Sequence, residues 1–261
     1  MATFRPITLI TGASSGIGTA LVRVFAENGH EVVMVARSEP PMTALANEIG
    51  MRGQLRPLVL PMDLTRVDAS ARLGHELASR GLEPAYVVNN AGFGLFGRAV
   101  QRDRSDQLDM IAVNIRALTD LSLRFSDQLI RHRGGILNVG SIAGFLPGPG
   151  MAVYYATKAY VLSFTEAMRA ELAPHGVRVT VLCPGPVPSE FQARAGFRPG
   201  FDSAVLNVLP ADVAQQAYRG LMANKRAVMP GLGIKIVPFL LRFFPRSFIL
   251  GAVGRLQLRQ R

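Results

Sequence analysis

Short apolar runs alternate with longer amphipathic stretches along most of this chain. The apolar runs are the length of buried strands and occupy residues 7–10, 31–36, 58–60, 86–88, 136–139, 177–182 and 227–229. Helical periodicity occupies residues 17–25, 66–80, 105–131 and 154–173. Alternation of this kind is typical of βαβ units. We therefore predict an α/β fold, a doubly wound parallel sheet of about seven strands with helices on both faces.

Polar and glycine-rich segments follow directly on several of the apolar runs. They read DLT at 63–65, NNAG at 89–92, VGS at 139–141 and PG at 184–185. Ligands of open parallel sheets bind beyond the carboxyl ends of the strands. We therefore expect these segments to meet at one edge of the sheet and to form a ligand site.

A glycine-rich turn, TGASSGIG at 11–18, joins the first apolar run to the first amphipathic stretch. Its GxxxGxG spacing differs from the GxGxxG dinucleotide fingerprint. Glycine lets the backbone adopt positive φ and lets a phosphate approach the amides, and the start of a helix adds unpaired N–H donors. The turn therefore indicates a pyrophosphate site, with a purely structural turn as the alternative when the segment is taken alone.

The motifs, taken in order, resemble those of the short-chain dehydrogenase/reductase family over about residues 5–230. The resemblance implies a Rossmann-like fold and a nicotinamide-dependent oxidoreductase that interconverts a carbonyl and an alcohol. A catalytically weak NADP(H)-binding sensor or interaction protein is the alternative. The matching positions are Gly12, Gly16, Gly18, Asp63, Asn89, Asn90, Ala91, Gly92, Asn114, Ser141, Tyr154, Lys158, Pro184 and Gly185.

The resemblance also implies roles for the matching residues. Tyr154 is the general acid/base, and Lys158 tunes it and holds the nicotinamide ribose. Ser141 orients the substrate oxygen, and Asn114 supports a water that relays protons. The implied cofactor-binding residues are Gly12, Ser14, Ser15, Gly16, Ile17, Gly18, Arg37, Asp63, Leu64, Asn90, Ala91, Gly92, Tyr154, Lys158, Pro184, Gly185, Val187 and Ser189.

The spacing of Tyr154 and Lys158 supports that assignment, because residues four apart share one helix face. An ordinary tyrosine pKa is about 10, so lowering it to about 7 requires roughly 4 kcal/mol. We expect the ammonium and a positively charged nicotinamide to supply this stabilisation. The residue four positions after Tyr155 is Ala159, so we assign Tyr155 to packing or to the substrate.

Simpler alternatives stay open at two positions. Asn114 could cap or kink its helix through local backbone hydrogen bonds. Asp63 could be a turn or N-cap residue, although the family places this carboxylate beside the adenine.

Cofactor choice depends on residues 36–38, which end the second apolar run. An acidic residue there would bind the ribose 2′-hydroxyl of NAD, whereas arginine suits the 2′-phosphate of NADP. Arg37 therefore predicts NADP(H) in preference to NAD(H). Glu39 lies close by and leaves the opposite choice open.

Aromatic residues predict a lipophilic ketone, aldehyde or alcohol as the small-molecule substrate. They lie in the two segments that cover substrates in the resembled family, at Phe93, Leu95, Phe96, Phe191, Phe197 and Phe201. Pro186 and Pro188 stiffen the chain before Ser189, where that family commonly has a hydroxyl on the nicotinamide amide.

Charge is unevenly distributed along the chain. Lys and Arg number 29 against 18 Asp and Glu, a formal net charge of +11. Residues 231–261, here called the C-terminal extension, are largely apolar and carry six cations and no acid. We expect no membrane span, because prolines and arginines interrupt the apolar stretch. The alternatives are a membrane surface, closure of the substrate pocket, or a subunit contact.

Composition predicts one catalytic domain at 1–230 with the C-terminal extension attached to it. The single cysteine, Cys183, excludes an intramolecular disulfide and fits a reducing compartment. We expect a cytoplasmic protein, peripheral on the inner face of a membrane if the extension binds lipid, with no signal peptide and no metal site. The resemblance implies a homo-oligomer, and the charge clustered in an apolar tail argues against nucleic acid as a partner.

Overall fold

A computed structural model describes residues 4–187 and 208–258 of the chain. In it, seven parallel strands form one sheet in the order β3-β2-β1-β4-β5-β6-β7. The strands are β1 (Arg5–Thr11), β2 (Val32–Ala36), β3 (Leu58–Pro61), β4 (Leu82–Asn89), β5 (Gly135–Val139), β6 (Arg178–Leu182) and β7 (Ala227–Val228). The predicted fold class is confirmed, and each predicted apolar run lies in one of these strands.

Helices connect the strands and follow the last of them. They are α1 (Gly16–Glu27), α2 (Glu39–Met51), α3 (Ala69–Ser79), α4 (Arg104–Ile111), α5 (Leu118–Arg124), α6 (Ser126–His132), α7 (Ala152–Leu172), α8 (Pro210–Met222), α9 (Leu232–Leu240) and α10 (Arg246–Leu258). A π-helical turn (Ala112–Ala117) separates α4 from α5, and short 3-10 turns include Ile142–Phe145 and Leu241–Phe243.

The sheet is buried on both faces, as parallel sheets usually are. Every residue of β2 and β5 is buried. One face packs against α1, α2 and α8 through residues such as Phe25 and Leu221. The other packs against α3, α5, α6 and α7 through residues such as Leu73 and Leu129. Apolar side chains on both faces explain why the strands read as continuous hydrophobic runs.

Two helices, α2 and α8, lie outside the predicted helical stretches. Prolines stand in the first turn of each, at Pro40 and Pro41 in α2 and Pro210 in α8. Proline is tolerated there because the first N–H groups of a helix have no intrahelical acceptor. The predicted single stretch at 105–131 is divided into α4, the π-helical turn, α5 and α6.

The C-terminal extension folds onto the rest of the chain. Ile234 of α9 and Ile249 of α10 are buried. The first of these helices packs beside the 3-10 turn Ile142–Phe145. Within residues 4–187 and 208–258, no helix is both long enough and apolar enough to cross a bilayer.

Candidate active site

A cleft of about 820 Å³ lies beyond the carboxyl ends of the strands. It brings together nearly all the predicted site residues, although they come from segments up to 175 positions apart. Those lining it are Gly12, Ser14, Ser15, Gly16, Ile17, Gly18, Arg37, Asp63, Leu64, Asn90, Ala91, Gly92, Ser141, Tyr154, Lys158, Pro184, Gly185 and Val187. Asn114 does not line the cleft, and Ser189 lies outside the described residues.

The glycine-rich turn is held close to the start of α1. Gly12 and Gly16 have φ of 65° and 54°, in the left-handed region that favours glycine. A Cβ on Gly18 would lie 2.0 Å from the Gly12 carbonyl oxygen, so no larger residue fits. The first turn of α1 contains no acid, and Ser15 makes no side-chain cap. The backbone therefore fits the pyrophosphate of a dinucleotide.

Asn90 fixes this turn from the neighbouring strand. Its Nδ2 donates to the carbonyl oxygens of Thr11 at 2.9 Å and Gly12 at 3.1 Å. The Thr11 hydroxyl accepts from the backbone N–H groups of Asn90 and Ala91. The NNAG segment thus supports the shape of the cofactor turn through its side chain as well as lining the cleft.

Tyr154, Lys158 and Ser141 meet where α7 begins beside the end of β5. Lys158 Nζ donates to the Val139 carbonyl oxygen at 2.7 Å and lies 5.8 Å from the centre of the Tyr154 ring. The Ser141 side chain hydrogen-bonds that of Tyr154. The Ser141 hydroxyl oxygen also accepts from the Ala143 N–H at 3.1 Å. The hydroxyls of Tyr154 and Ser141 are therefore close enough to bind one substrate oxygen together.

Burial dominates the acid–base properties of this group. It raises the pKa of Tyr154 to about 12, against the opposing effect of the Ser141 hydrogen bond. It lowers the pKa of Lys158 to about 8. Both shifts have the same cause, because removal from water disfavours the charged form of each group. The lowering of the tyrosine pKa that the sequence suggests is therefore absent from the balance of the chain's own groups.

Asn114 lies behind the cleft in the π-helical turn and is 1% exposed. Its Oδ1 accepts from the Phe93 N–H at 3.1 Å. Its Nδ2 donates to the Phe93 carbonyl at 3.0 Å and to the Thr157 hydroxyl at 3.0 Å. These bonds tie the segment after β4 to α7, one turn from the tyrosine.

Arg37 and Ser38 line the cleft at the end of β2. Glu39 instead lines a separate shallow depression with Pro40 and Asn47. The nearby Asp63 accepts from the Thr65 N–H at 3.0 Å. This hydrogen bond, helped by the charge of Arg37, lowers the pKa of the Asp63 carboxyl. Asp63 thus forms the local turn that was its simpler alternative and lines the cleft as well.

Part of the cleft wall was not identified from the sequence. Val253 and Gln257 of α10 line it, and the Gln257 Nε2 donates to the Tyr155 hydroxyl at 2.6 Å. The Tyr155 ring lies against Gly148, where a Cβ would come within 2.2 Å of it. No local signal links residues 102 positions apart; only the general alternative of pocket closure by the extension anticipated this contact.

The aromatic residues predicted near the substrate divide into two groups. Phe93 lines the cleft, while Leu95 and Phe96 pack with Tyr154 in a small apolar cluster beside it. Phe191, Phe197 and Phe201 lie outside the described residues, as does Pro188. Cys183 is buried, and burial raises the pKa of its thiol to about 12, which suits packing rather than nucleophilic chemistry.

Comparison with known proteins gives matches over most of the chain. The family model of short chain dehydrogenases matches residues 6–197. Sulfoacetaldehyde reductase 2 of Chromohalobacter salexigens is 37% identical over 209 residues, 79% of this chain and 81% of the relative. The NADPH-dependent 1-acyldihydroxyacetone phosphate reductase of Schizosaccharomyces pombe is 33% identical over 220 residues, 84% of this chain and 70% of the relative.

A similar solved structure is the short-chain dehydrogenase of Sphingobium yanoikuyae in complex with NADPH. It superposes with a TM-score of 0.82 at 30% identity and covers 98% of this chain and 97% of its own. The likeness therefore includes the C-terminal part of the fold as well as the cofactor turn.

Proposed function

We propose that this chain, which belongs to the short-chain dehydrogenase/reductase family, reduces lipophilic carbonyl compounds with NADPH and uses Tyr154 as its general acid. Membership of the family makes it an NAD(P)-dependent oxidoreductase that acts on CH–OH and C=O groups. The observation that carries the finer proposal is the meeting of Ser141, Tyr154 and Lys158 in the same cleft as the glycine-rich turn.

In the proposed reaction, the hydroxyls of Ser141 and Tyr154 bind the carbonyl oxygen of the substrate. Bound NADPH supplies the hydride. Tyr154 then donates its proton to the oxygen, so that the product leaves as an alcohol. A neutral phenol is the form needed for this direction, and the raised pKa of Tyr154 keeps it neutral at physiological pH. For the reverse direction, the positive charges of Lys158 and the oxidised nicotinamide would favour the phenolate.

Asn114 has a supporting role in this proposal. Its amide holds Phe93 and Thr157, and the Thr157 hydroxyl donates to the Tyr154 carbonyl oxygen at 2.7 Å. These contacts keep the start of α7 fixed relative to the segment after β4. We extend the family's proton-relay role to Asn114, although its side chain lies behind the cleft wall.

The preference for NADP(H) is supported by the surroundings of Arg37. The guanidinium and the Ser38 hydroxyl border the cleft, whereas the nearest acid, Glu39, borders a different depression. A 2′-phosphate would find a cation and a hydroxyl there, and no carboxylate competes for it among the lining residues of that edge. The names of the yeast relative and of the Sphingobium complex both include NADPH.

A lipophilic substrate is supported by the wall of the cleft near Tyr154. Its apolar members include Phe93, Ile142, Leu146, Met151 and Val253. The yeast relative is named for an acylated substrate, whereas the Chromohalobacter relative is named for a small sulfonated aldehyde. The apolar wall favours the first kind of substrate, because a sulfonate would need a cation that these residues do not offer.

The proposal is tested by following NADPH oxidation with a series of carbonyl compounds that share a reactive group and differ in apolar length. We expect kcat/KM to rise with apolar size, by roughly three-fold to five-fold for each buried methylene pair. Identification of the alcohol product confirms the reaction. NADPH binding without reduction of any carbonyl would instead support the sensor alternative.

Organisation of the chain follows from the same proposal. We assign residues 1–230 to the catalytic domain and expect the protein to assemble as a homo-oligomer in a reducing compartment. Sedimentation of the purified protein measures the first of these expectations directly.

A further inference from the structure

The C-terminal extension presents aromatic side chains to solvent. Phe239, Phe243, Phe244 and Phe248, here called the aromatic patch, are 48–69% exposed. The rings of Phe239 and Phe243 lie 5.2 Å apart, and those of Phe244 and Phe248 stack at 5.4 Å. Because Phe243 and Phe244 are adjacent in the chain, the two pairs form one continuous patch. Large exposed apolar patches mark surfaces that bind a partner or a membrane.

Positive charge surrounds this patch. Lys235, Arg246 and Arg255 are exposed on α9 and α10. No Asp or Glu occurs anywhere in residues 231–261, which carry +6 of the net charge of +11. The partner of this surface must therefore be both apolar and anionic.

The opposite side of the extension is part of the folded molecule. Ile234 and Ile249 are buried, and Val253 and Gln257 line the active-site cleft. The exposure of the aromatic patch is therefore a feature of a docked extension rather than of a detached tail.

We propose that the aromatic patch and its surrounding cations dock on an anionic membrane surface. Aromatic rings insert at the boundary of headgroups and acyl chains, while Lys and Arg bind anionic headgroups. A two-fold contact with a second copy would place the same cations against one another, which disfavours self-association through this surface.

Docking has a consequence for the substrate that rests on the proposed reductase function. Since α10 also forms a wall of the cleft, a docked molecule holds its substrate side near the lipid. The substrate class that fits is an amphiphilic carbonyl compound that partitions into membranes. Docking itself does not depend on turnover and is measured separately.

The test is cosedimentation of the full-length protein with vesicles. We expect binding to vesicles of phosphatidylcholine and phosphatidylglycerol to be at least about ten-fold tighter than to phosphatidylcholine alone, given about 1 kcal/mol for each exposed cation. High salt should reduce the difference. Equal binding to both vesicles, or binding to neither, would overturn the proposal.

Point variants localise the contact. The double variant Phe243→Ser/Phe248→Ser should lose vesicle binding by at least about ten-fold. Leu55→Ser, at a residue 62% exposed outside the extension, is the matched control and should bind as the unaltered protein does. Deletion of residues 232–261 is unsuitable, because it also removes Val253 and Gln257 from the cleft.

Two further readouts separate the alternatives. Both variants should retain NADPH binding and the circular dichroism of the unaltered protein, which excludes misfolding as the cause of any loss. Analytical ultracentrifugation gives the oligomeric state. If the double variant only converts an oligomer into monomers, while the unaltered protein binds no vesicles, the patch is a subunit interface and the membrane proposal is wrong.

Discussion

At the scale of single residues, the acid–base pair of the site is controlled by burial. Tyr154 and Lys158 are 9% and 6% exposed. Their position on one helix face follows from a four-residue spacing, which is why the sequence alone identifies the pair. Their loss of solvent depends on the packing of α7 against β5 and on the segment after β4. Desolvation, and with it the direction of both pKa shifts, was therefore beyond sequence analysis.

The pKa of Lys158 predicts how stability changes with pH. Its folded pKa is about 8 and its ordinary value 10.5, so the unfolded chain binds more protons between these values and stability rises with pH there. Below pH 8 the full cost of burying the charge is present. Lys158→Met removes the titrating group and should make this rise disappear.

The measurement is the free energy of unfolding in urea at pH 7 and pH 9.5. We expect the unaltered protein to gain about 2 kcal/mol relative to Lys158→Met over this interval. The exposed Lys235→Met is the control and should show no such relative change. Parallel pH profiles for the unaltered protein and Lys158→Met would contradict the assigned pKa shift.

Arg37 provides a test of cofactor choice. Arg37→Glu places an acid where the 2′-phosphate is expected and offers an acceptor to a ribose 2′-hydroxyl. We predict a rise in KM for NADPH of roughly 10-fold to 100-fold, with KM for NADH unchanged or lower. Steady-state kinetics with both cofactors checks this, with Arg56→Glu as an exposed control. Equal losses with the two cofactors would show that Arg37 does not select between them.

At the scale of elements, strands were predicted more reliably than helices. Each strand is buried on both faces and therefore contains an apolar run that needs no knowledge of its neighbours. The helices α2 and α8 open with prolines, which obscure the pattern although they are compatible with a first turn. The wall formed by α10 was left as one of several alternatives, because nothing local indicates its docking beside Tyr155.

The contact between α10 and α7 makes a prediction at this scale. Gln257→Leu removes the hydrogen bond to the Tyr155 hydroxyl and leaves that buried group without its partner, a cost of about 1–3 kcal/mol. Since α10 lines the substrate side of the cleft, KM for a large carbonyl should rise by roughly 5-fold or more. KM for NADPH should stay within about two-fold.

Steady-state kinetics with large and small carbonyl compounds measures this separation. Ser247→Ala, on the exposed side of the same helix, is the control and should leave all constants unchanged. A parallel rise in the KM of NADPH would indicate a general loosening of the fold instead of a substrate wall.

At the scale of the whole molecule, the fold gathers distant segments at one sheet edge. The parallel order of the seven strands places the glycine-rich turn, Asn90, Ser141 and Pro184 around a single cleft. That convergence was predictable because it follows from the rule for carboxyl ends of parallel strands. The contribution of the C-terminal extension was not, because it depends on a contact between segments far apart in the chain.

The measurement that tests the central claim most directly is carbonyl reduction by Tyr154→Phe. The change removes the proton donor and little else, so we predict that kcat falls by at least about 100-fold while the Kd for NADPH stays within about two-fold. Tyr160→Phe, an exposed residue of the same helix, serves as the matched control and should keep full activity. A Tyr154→Phe protein with kcat within about three-fold of the unaltered enzyme would contradict the assignment of Tyr154 as the general acid.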